Sequence, residues 1–395
     1  MKKQRILIKN FNKIIILIIL FIMLIQLKSF GATDEETSKQ TLEEQQEEFK
    51  IEDFIESSKE YGGEFFEGLD INEMLNDAIK GNVNNNTLVE KIWNLLGNEV
   101  TTSIKSMVSI LVIIIIHSIL KAVSESLEND GISKLIYYVQ YILIVTIIMG
   151  NFSDIIKLVQ DTSNNLVGFM NILVPLLIAL MMYTGSITTS TVLEPIILFL
   201  INFVGNLIQT IIIPLVLVAT SLIVISKISD QVQVDKLAKF LKSGIVWFLG
   251  IVLTIFVGVI SLEGTLSSSV DGITAKTTKA VVSSAIPVVG KILGDAVDTV
   301  LGCGIVLKNA VGIIGVIVII GICIVPILKL GILTIIYKLL ATLTQAIADK
   351  KITSLLDETG DIFKIFLGIL SALSVMLIVG TAIVVRMSNS AMMYR

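Results

Sequence analysis

From Ile104 to Val385 the chain is one near-apolar stretch after another, several long enough to cross a bilayer, with the remaining charge collected in the gaps between them. A hydrocarbon core about 30 Å thick takes roughly 20 residues of helix. Inside it every backbone polar group must be satisfied within the element itself, so helices do the crossing. The expected fold class is all-α: a polytopic helical integral membrane protein. Composition agrees, with 54% hydrophobic residues, 16% charged residues and five prolines in 395, which excludes an ordinary soluble core.

Lys2, Lys3, Arg5, Lys9 and Lys13 precede an apolar run from Ile14 to Ile25, after which Gln26, Lys28 and Ser29 restore polarity. At about 12 residues this run suits a signal-peptide core and is short for a span. Small residues at Ser29, Gly31 and Ala32 offer cleavage sites, so residues 1–32 are read as a signal peptide, with an uncleaved anchor as the alternative. Both readings export the segment that begins at Thr33. Residues 33–103 form an acidic segment, densest at Glu43, Glu44, Glu47, Glu48, Glu52, Asp53 and Glu56. That run is either a solvated helix face or a dock for a basic partner. Helical spacing places Ile71, Met74, Leu75, Ala78 and Ile79 on one face, and Leu88, Ile92, Leu95 and Leu96 on another.

The membrane domain, 104–395, reads as spans at Ile104–Leu120, Leu135–Gly150, Leu166–Tyr183, Gly244–Leu262, Ala310–Leu328 and Ile365–Val385. Between Val192 and Ser226 the apolar run exceeds one untilted crossing, and Asn202, Asn206, Gln209 and Pro214 interrupt it, so a hairpin or two close spans is expected there. Gly331–Ala348 is a further span or an interfacial helix, giving about seven or eight crossings. Lys227, Lys236, Lys239 and Lys242 share one short loop, which the positive-inside rule places in the cytoplasm. Counting from an exported amino terminus, that loop lies inside only if the 192–226 run crosses twice.

The chemistry is thin. His117 is the sole histidine, so no two-histidine zinc motif exists. It is read as a proton-relay candidate or as an interfacial, hydrogen-bonded side chain. Cys303 and Cys323 lack metal or redox spacing and read as buried thiols. Gly290-Lys291 lacks the rest of a phosphate-cradling loop, so ATP-driven work must come from another subunit. No catalytic, cofactor-binding or metal-binding residues are expected, and no basic patch suits nucleic acid; the partners are the lipid bilayer and other proteins. Glu194, Glu263 and Lys308 either mark interfaces or line a pore, because a charge in hydrocarbon is costly without a partner. The segment 267–300 is too polar for an ordinary span. After Pro287 its apolar set Val289, Ile292, Leu293, Ala296, Val297 and Val300 opposes Lys291, Asp295 and Asp298, the mark of an amphipathic helix. Glu194, Asn202, Asn206, Lys291, Asp295, Asp298 and Lys308 are the candidate channel-lining or packing residues.

The blocks Ser-Val-Asp-Gly-Ile-Thr from Ser269, Ala-Ile-Pro-Val-Val-Gly-Lys-Ile-Leu-Gly-Asp-Ala-Val-Asp-Thr-Val from Ala285, Leu-Lys-Asn-Ala-Val-Gly from Leu307 and Tyr-Thr-Gly-Ser-Ile-Thr from Tyr183 resemble the stage III sporulation protein AE family. The resemblance extends to the plan of an exported amino terminus followed by many spans. It implies a non-enzymatic part of the channel complex joining mother cell and forespore, in the mother-cell membrane, completed by a partner ATPase and ring-forming proteins. A stand-alone secondary transporter is the alternative; it would show internal repeats and broken helices converging at the midplane.

Overall fold

The computed structural model describes residues 35–82, 85–126, 130–228, 234–285 and 289–392. The signal peptide expected at 1–32 and Pro287 lie outside them, as do the side chains of His117 and Glu263 and those of the amphipathic segment from Ser267 to Asp298. Every described element is helical. Three short helices, α1 (Glu35–Glu48), α2 (Ile51–Gly62) and α3 (Ile71–Ile79), precede the long ones. These are α4 (Asn85–Ser126), α5 (Asp130–Tyr183), α6 (Ile187–Leu207) with its continuation α7 (Ile213–Ile228), α8 (Asp235–Ala285), α9 (Val289–Thr344) and α10 (Lys350–Met392). Six helices among the described residues are long and apolar enough to cross a membrane.

That is fewer than the apolar segments suggest, because several segments join. The stretches 135–150 and 166–183, read as separate spans, belong to the single 54-residue helix α5, about 81 Å long at 1.5 Å per residue. Between them, 151–165 is polar but contains neither Gly nor Pro. Its apolar residues Phe152, Ile155 and Val159 keep helical spacing and are buried, so the helix has no reason to stop. The expected hairpin between Val192 and Ser226 is likewise absent. There α6 passes through a π-helical turn, Ile208–Ile212, directly into α7. Pro214 cannot donate to the Thr210 carbonyl four residues back and its ring crowds it. The wider turn just ahead of it absorbs that conflict without reversing the chain. Of the expected Gly331–Ala348 segment, residues 331–344 extend the 310–328 helix as the end of α9, which runs on through Pro326, and 345–348 turn away from it. The expected boundary at 103/104 falls inside α4.

Contacts between neighbouring helices set the register. Along α5, Tyr137 Oη donates to the Lys227 carbonyl at 3.0 Å and Tyr141 Oη to that of Val224 at 2.5 Å, while Asn151 Nδ2 donates to Tyr337 Oη at 2.8 Å. The Lys351 ammonium lies 6.0 Å from the Tyr137 ring centre, so the lysine-bearing ends of α7 and α10 meet at the start of α5. The most enclosed helix is α9, packed by α10, α5 and α4 and also by α1, α2 and α3.

Packing of α2 on α5 redefines the apolar stretch 166–183. Leu166, Phe169, Met170, Leu173, Leu177 and Leu180 are buried, and part of this stretch is covered by the acidic amino-terminal region. Phe54 and Tyr61 of α2 pack on Phe169, and Phe49 meets Tyr183 edge-on at 5.3 Å. Gln45 Nε2 donates to the Val300 carbonyl at 3.1 Å. The face opposite, Glu52, Asp53, Glu56, Lys59 and Glu60, is exposed. Phe65 and Phe66 lie against α9 where Gly321 lets them in: a Cβ there would sit 2.6 Å from Phe66 and 2.7 Å from Phe65. Ile71, Leu75 and Ala78 are buried on α3, the face that the spacing marks out.

Candidate functional site

A ladder of amides runs along the contact between α5 and α6. Asn202 Nδ2 donates to Asn171 Oδ1 at 3.0 Å and to the Leu198 carbonyl at 2.8 Å. Two turns on, Gln209 Nε2 donates to Asn164 Oδ1 at 2.6 Å and to the Gln160 carbonyl at 3.2 Å. Gln209 sits within the π-helical turn, and Asn206 stands exposed between the two rungs. Close approach of the helices is set at Gly205, where a Cβ would lie 2.6 Å from Val167. Asn164, Asn171 and Asn202 are exposed at the outer edge of this seam. The stacked rings of Phe199 and Phe203, 5.9 Å apart, are exposed beside it.

Of the residues marked in the sequence, this seam gathers Asn202, Asn206 and Gln209 and adds Asn164 and Asn171. Asn164 and Asn171 went unmarked. Their signal is in the chain: 164 and 171 are seven apart, as are 202 and 209, and seven residues is two turns on each of two antiparallel helices. Glu194 is partly exposed on α6, eight residues before Asn202 and outside the ladder. Lys308 is fully buried, and its Nζ donates to the Val385 carbonyl of α10 at 3.0 Å. Lys291, Asp295 and Asp298 lie on the first turns of α9, and their side chains are outside the described residues. The marked residues thus fall in separate places.

Interhelical amide bonds in membrane proteins are worth about 0.6 kcal/mol on average and up to about 1.7. Asn202→Ala and Asn171→Ala are each expected to destabilise by that order. In a double-variant cycle read by thermal denaturation in detergent, the pair is expected to show a coupling of about 0.6–1.7 kcal/mol; strictly additive losses would mean the amides do not bond each other.

A second polar cluster, unmarked by any motif, joins α8, α9 and α10. Lys242 pairs with Glu358, and Asp361 lies 3.8 Å from the same ammonium. Lys338 bridges Asp357 at 2.7 Å and Asp361 at 2.8 Å. The two carboxylates are one turn apart on α10, and Gly360 lies between them. A Cβ at Gly360 would be 3.2 Å from Lys338 Cγ, so the lysine stem crosses α10 closely over a bare position.

Fold and polar clusters together define a multi-pass helical membrane protein whose ionisable groups tie helices to one another. Residues 69–388 match the family model described as Stage III sporulation protein AE. Over 307 residues the chain is 30% identical to the Stage III sporulation protein AE of Bacillus subtilis (strain 168), covering 78% of this chain and 77% of that protein. No solved structure matches. The chain belongs to the stage III sporulation protein AE family, whose members are generally non-enzymatic membrane proteins of sporulation.

Proposed function

We propose that this chain is a non-enzymatic subunit of the channel complex joining mother cell and forespore, seated in the mother-cell membrane as scaffold or conduit and energised by a separate ATPase. The observation that carries the reading is membership of a sporulation family over 69–388, joined to a bundle of six long apolar helices. The transporter alternative calls for broken helices at a midplane site; the interruption at Gln209 to Pro214 is instead a π-helical turn in a continuous helix.

The merged helices also support a simple topology. With the acidic amino-terminal region outside, α4, α5 and the α6–α7 helix make three crossings before Lys227, an odd number, so the lysine loop lies in the cytoplasm. Two crossings within 192–226 are no longer needed. Lys227, Lys236, Lys239, Lys350 and Lys351 then share the inner side, and α1–α3 the outer.

In a sporulating host, deletion of the chain is expected to arrest forespore maturation. A full-length copy bearing a reporter active only in the cytoplasm, inserted between residues 228 and 234, is expected to restore it and to report. Normal maturation in the deletion strain overturns the function, and a silent reporter in a restored strain overturns the topology.

A further inference from the structure

We infer that the bilayer girdles only one half of this bundle, the half alongside Tyr137 to Asp154 of α5. The other half stands in water as a helical column about 40 Å tall, with α1–α3 bound to its side. The inference rests on the multi-pass class and not on the channel-complex reading; the topology proposed above decides only that the column points outward.

Exposed side chains change character partway along α5. From Leu135 to Leu143 they are Leu135, Tyr138, Val139, Ile142 and Leu143, whereas from Gly150 to Asn171 each one is polar or glycine, Asp154, Lys157, Asp161 and Asn165 among them. The neighbours change at the same height. Asn151 bonds Tyr337 of α9, and α9 turns Ile335, Leu339 and Leu343 outward, while no described residue from Thr299 to Thr334 is exposed. Ile113, Ile116 and Leu120 of α4 border one groove with Leu135, Val139 and Leu143 of α5, and every described exposed residue of α4 from Val112 to Val123 is apolar. From Ile225 back to Ile211 the exposed residues of α7 and the π-helical turn are apolar but for Ser221.

These faces form one belt. Lys351, 6.0 Å from the Tyr137 ring centre, marks its lower rim, and Asp154 and Lys157 mark its upper rim. Tyr137 to Asp154 is roughly 17 residues, about 25 Å of axis, which suits a hydrocarbon core. Charges inside the belt are paired or lie near a rim. Lys242 pairs with Glu358, and Lys338 with Asp357 and Asp361, as ionised groups at membrane depth do. Lys364 lies two residues from Phe366, which packs on Phe152, so its stem reaches the upper rim. The stem of Lys105 does the same from α4, about 9 Å along the axis from Glu99, itself 4.0 Å from Lys329.

The acidic region decides which half is in lipid. Phe54 and Tyr61 pack on Phe169, about 22 Å along α5 beyond Asp154, and α2 turns Glu52, Asp53, Glu56 and Glu60 outward there, exposed. Charged groups at membrane depth face protein or water, not hydrocarbon. A bilayer centred on the equally apolar 166–183 would immerse those carboxylates, so water surrounds α1–α3 and the column they cover. From Asp154 to Tyr183 the column measures about 43 Å. Its exposed apolar side chains are mixed with polar ones: Phe199 and Phe203 with Asn202 and Asn206 on α6, and Ile255 and Leu262 with Thr254 and Ser261 on α8. Such mixing is ordinary for a surface in water.

The chain's two tryptophans stand one on each half. Trp247, 71% exposed on α8, lies in the belt just beyond Lys242, and Trp93, 66% exposed on α4, lies about 9 Å beyond Glu99 on the column side. The test reconstitutes the purified full-length chain into phosphatidylcholine vesicles brominated midway along the acyl chains and reads tryptophan fluorescence. Trp93→Phe, which keeps Trp247, is expected to lose most of its emission relative to unbrominated vesicles. Trp247→Phe, which keeps Trp93, is expected to lose little, yet to be quenched by acrylamide in the water. Bromine quenching of Trp93 equal to or above that of Trp247 overturns the inference. A second measurement leaves both rings in place. With Cys303→Ala and Cys323→Ala as background, Lys157→Cys and Asn165→Cys are expected to react with a charged, membrane-impermeant thiosulfonate at least about tenfold faster than Ile142→Cys and Leu339→Cys, because an apolar setting raises a thiol's pKa and starves the reaction of thiolate. Asn165→Cys as slow as Ile142→Cys overturns the aqueous column, and Ile142→Cys as fast as Lys157→Cys overturns the belt. Neither result bears on the arrest expected when the chain is deleted, so failure here leaves the channel-complex reading standing.

Discussion

Lys242→Met is expected to destabilise the bundle by roughly 3–5 kcal/mol, the range for breaking a buried ion pair by removing one partner. Lys242 and Glu358 are only 11% and 14% exposed at their side chains, and deleting the ammonium leaves the Glu358 carboxylate desolvated. Asp361, 3.8 Å from the same ammonium, adds like charge to the damage. The signature is in the second variant. Lys242→Met combined with Glu358→Leu removes both charges, and buried pairs replaced by apolar side chains are commonly neutral or more stable. Thermal denaturation of the detergent-solubilised chain should show a clear fall in midpoint for the single change and recovery of most of it in the double. Equal losses in both would mean the pair holds α8 to α10 through shape and not through charge.

How much of this was readable beforehand differs by element. The membrane-spanning character was, because twenty apolar residues in a row have few other uses. So was the amphipathic face of α3, whose Ile71, Leu75 and Ala78 are buried as the spacing requires. The merging of 135–150 with 166–183 was masked by polarity: Asp154, Lys157 and Asp161 look like a loop between spans, while the helical signal there is carried by only a few buried residues such as Phe152, Ile155 and Val159. A polar stretch on a long helix and a polar loop have similar composition and differ only in period. The fate of 166–183 was unreadable for a different reason. An apolar run does not say whether lipid or protein will cover it, and the answer here lies in Phe54 and Tyr61, more than a hundred residues upstream.

The candidate site divides the same way. Asn202 and Asn206 stand out because amides are rare in apolar runs, but Lys242 was absorbed into a lysine-rich loop, and its partner Glu358 is 116 residues away. Lys338 bridging Asp357 and Asp361 passes close over Gly360 between them, and a glycine in an apolar membrane helix is too common to flag such a crossing. Sequence displays what is costly to bury; it does not display which distant group offsets the cost.

Phe65→Ala with Phe66→Ala should release the amino-terminal helices from the bundle while leaving the long helices in the membrane. Both rings are nearly fully buried, at 2% and 4% exposure, and stack edge-on at 5.1 Å against the bare backbone of Gly321. Burying a phenylalanine and losing it typically differ by about 3–5 kcal/mol. Two adjacent losses leave Phe54 and Tyr61 on Phe169, Phe49 on Tyr183, Gln45 on Val300 and the buried face of α3 to hold a segment whose other face is acidic and exposed. Mild proteolysis from the side of the membrane that carries these helices should then cleave between residues 35 and 82 in the double variant and spare the native chain. Gly321→Leu provides the converse test: it removes no apolar surface, yet its side chain would overlap both rings, an overpacking cost of typically about 1–3 kcal/mol, so it should loosen the same segment to a lesser degree. If the double variant resists cleavage as the native chain does, the amino-terminal helices are held by something other than this aromatic contact. Because α2 and α3 cover α5 and α9 where those helices are most apolar, their release would also expose Phe169 and the flank of Gly321 to water. The variant should therefore aggregate on extraction at detergent concentrations that keep the native chain dispersed.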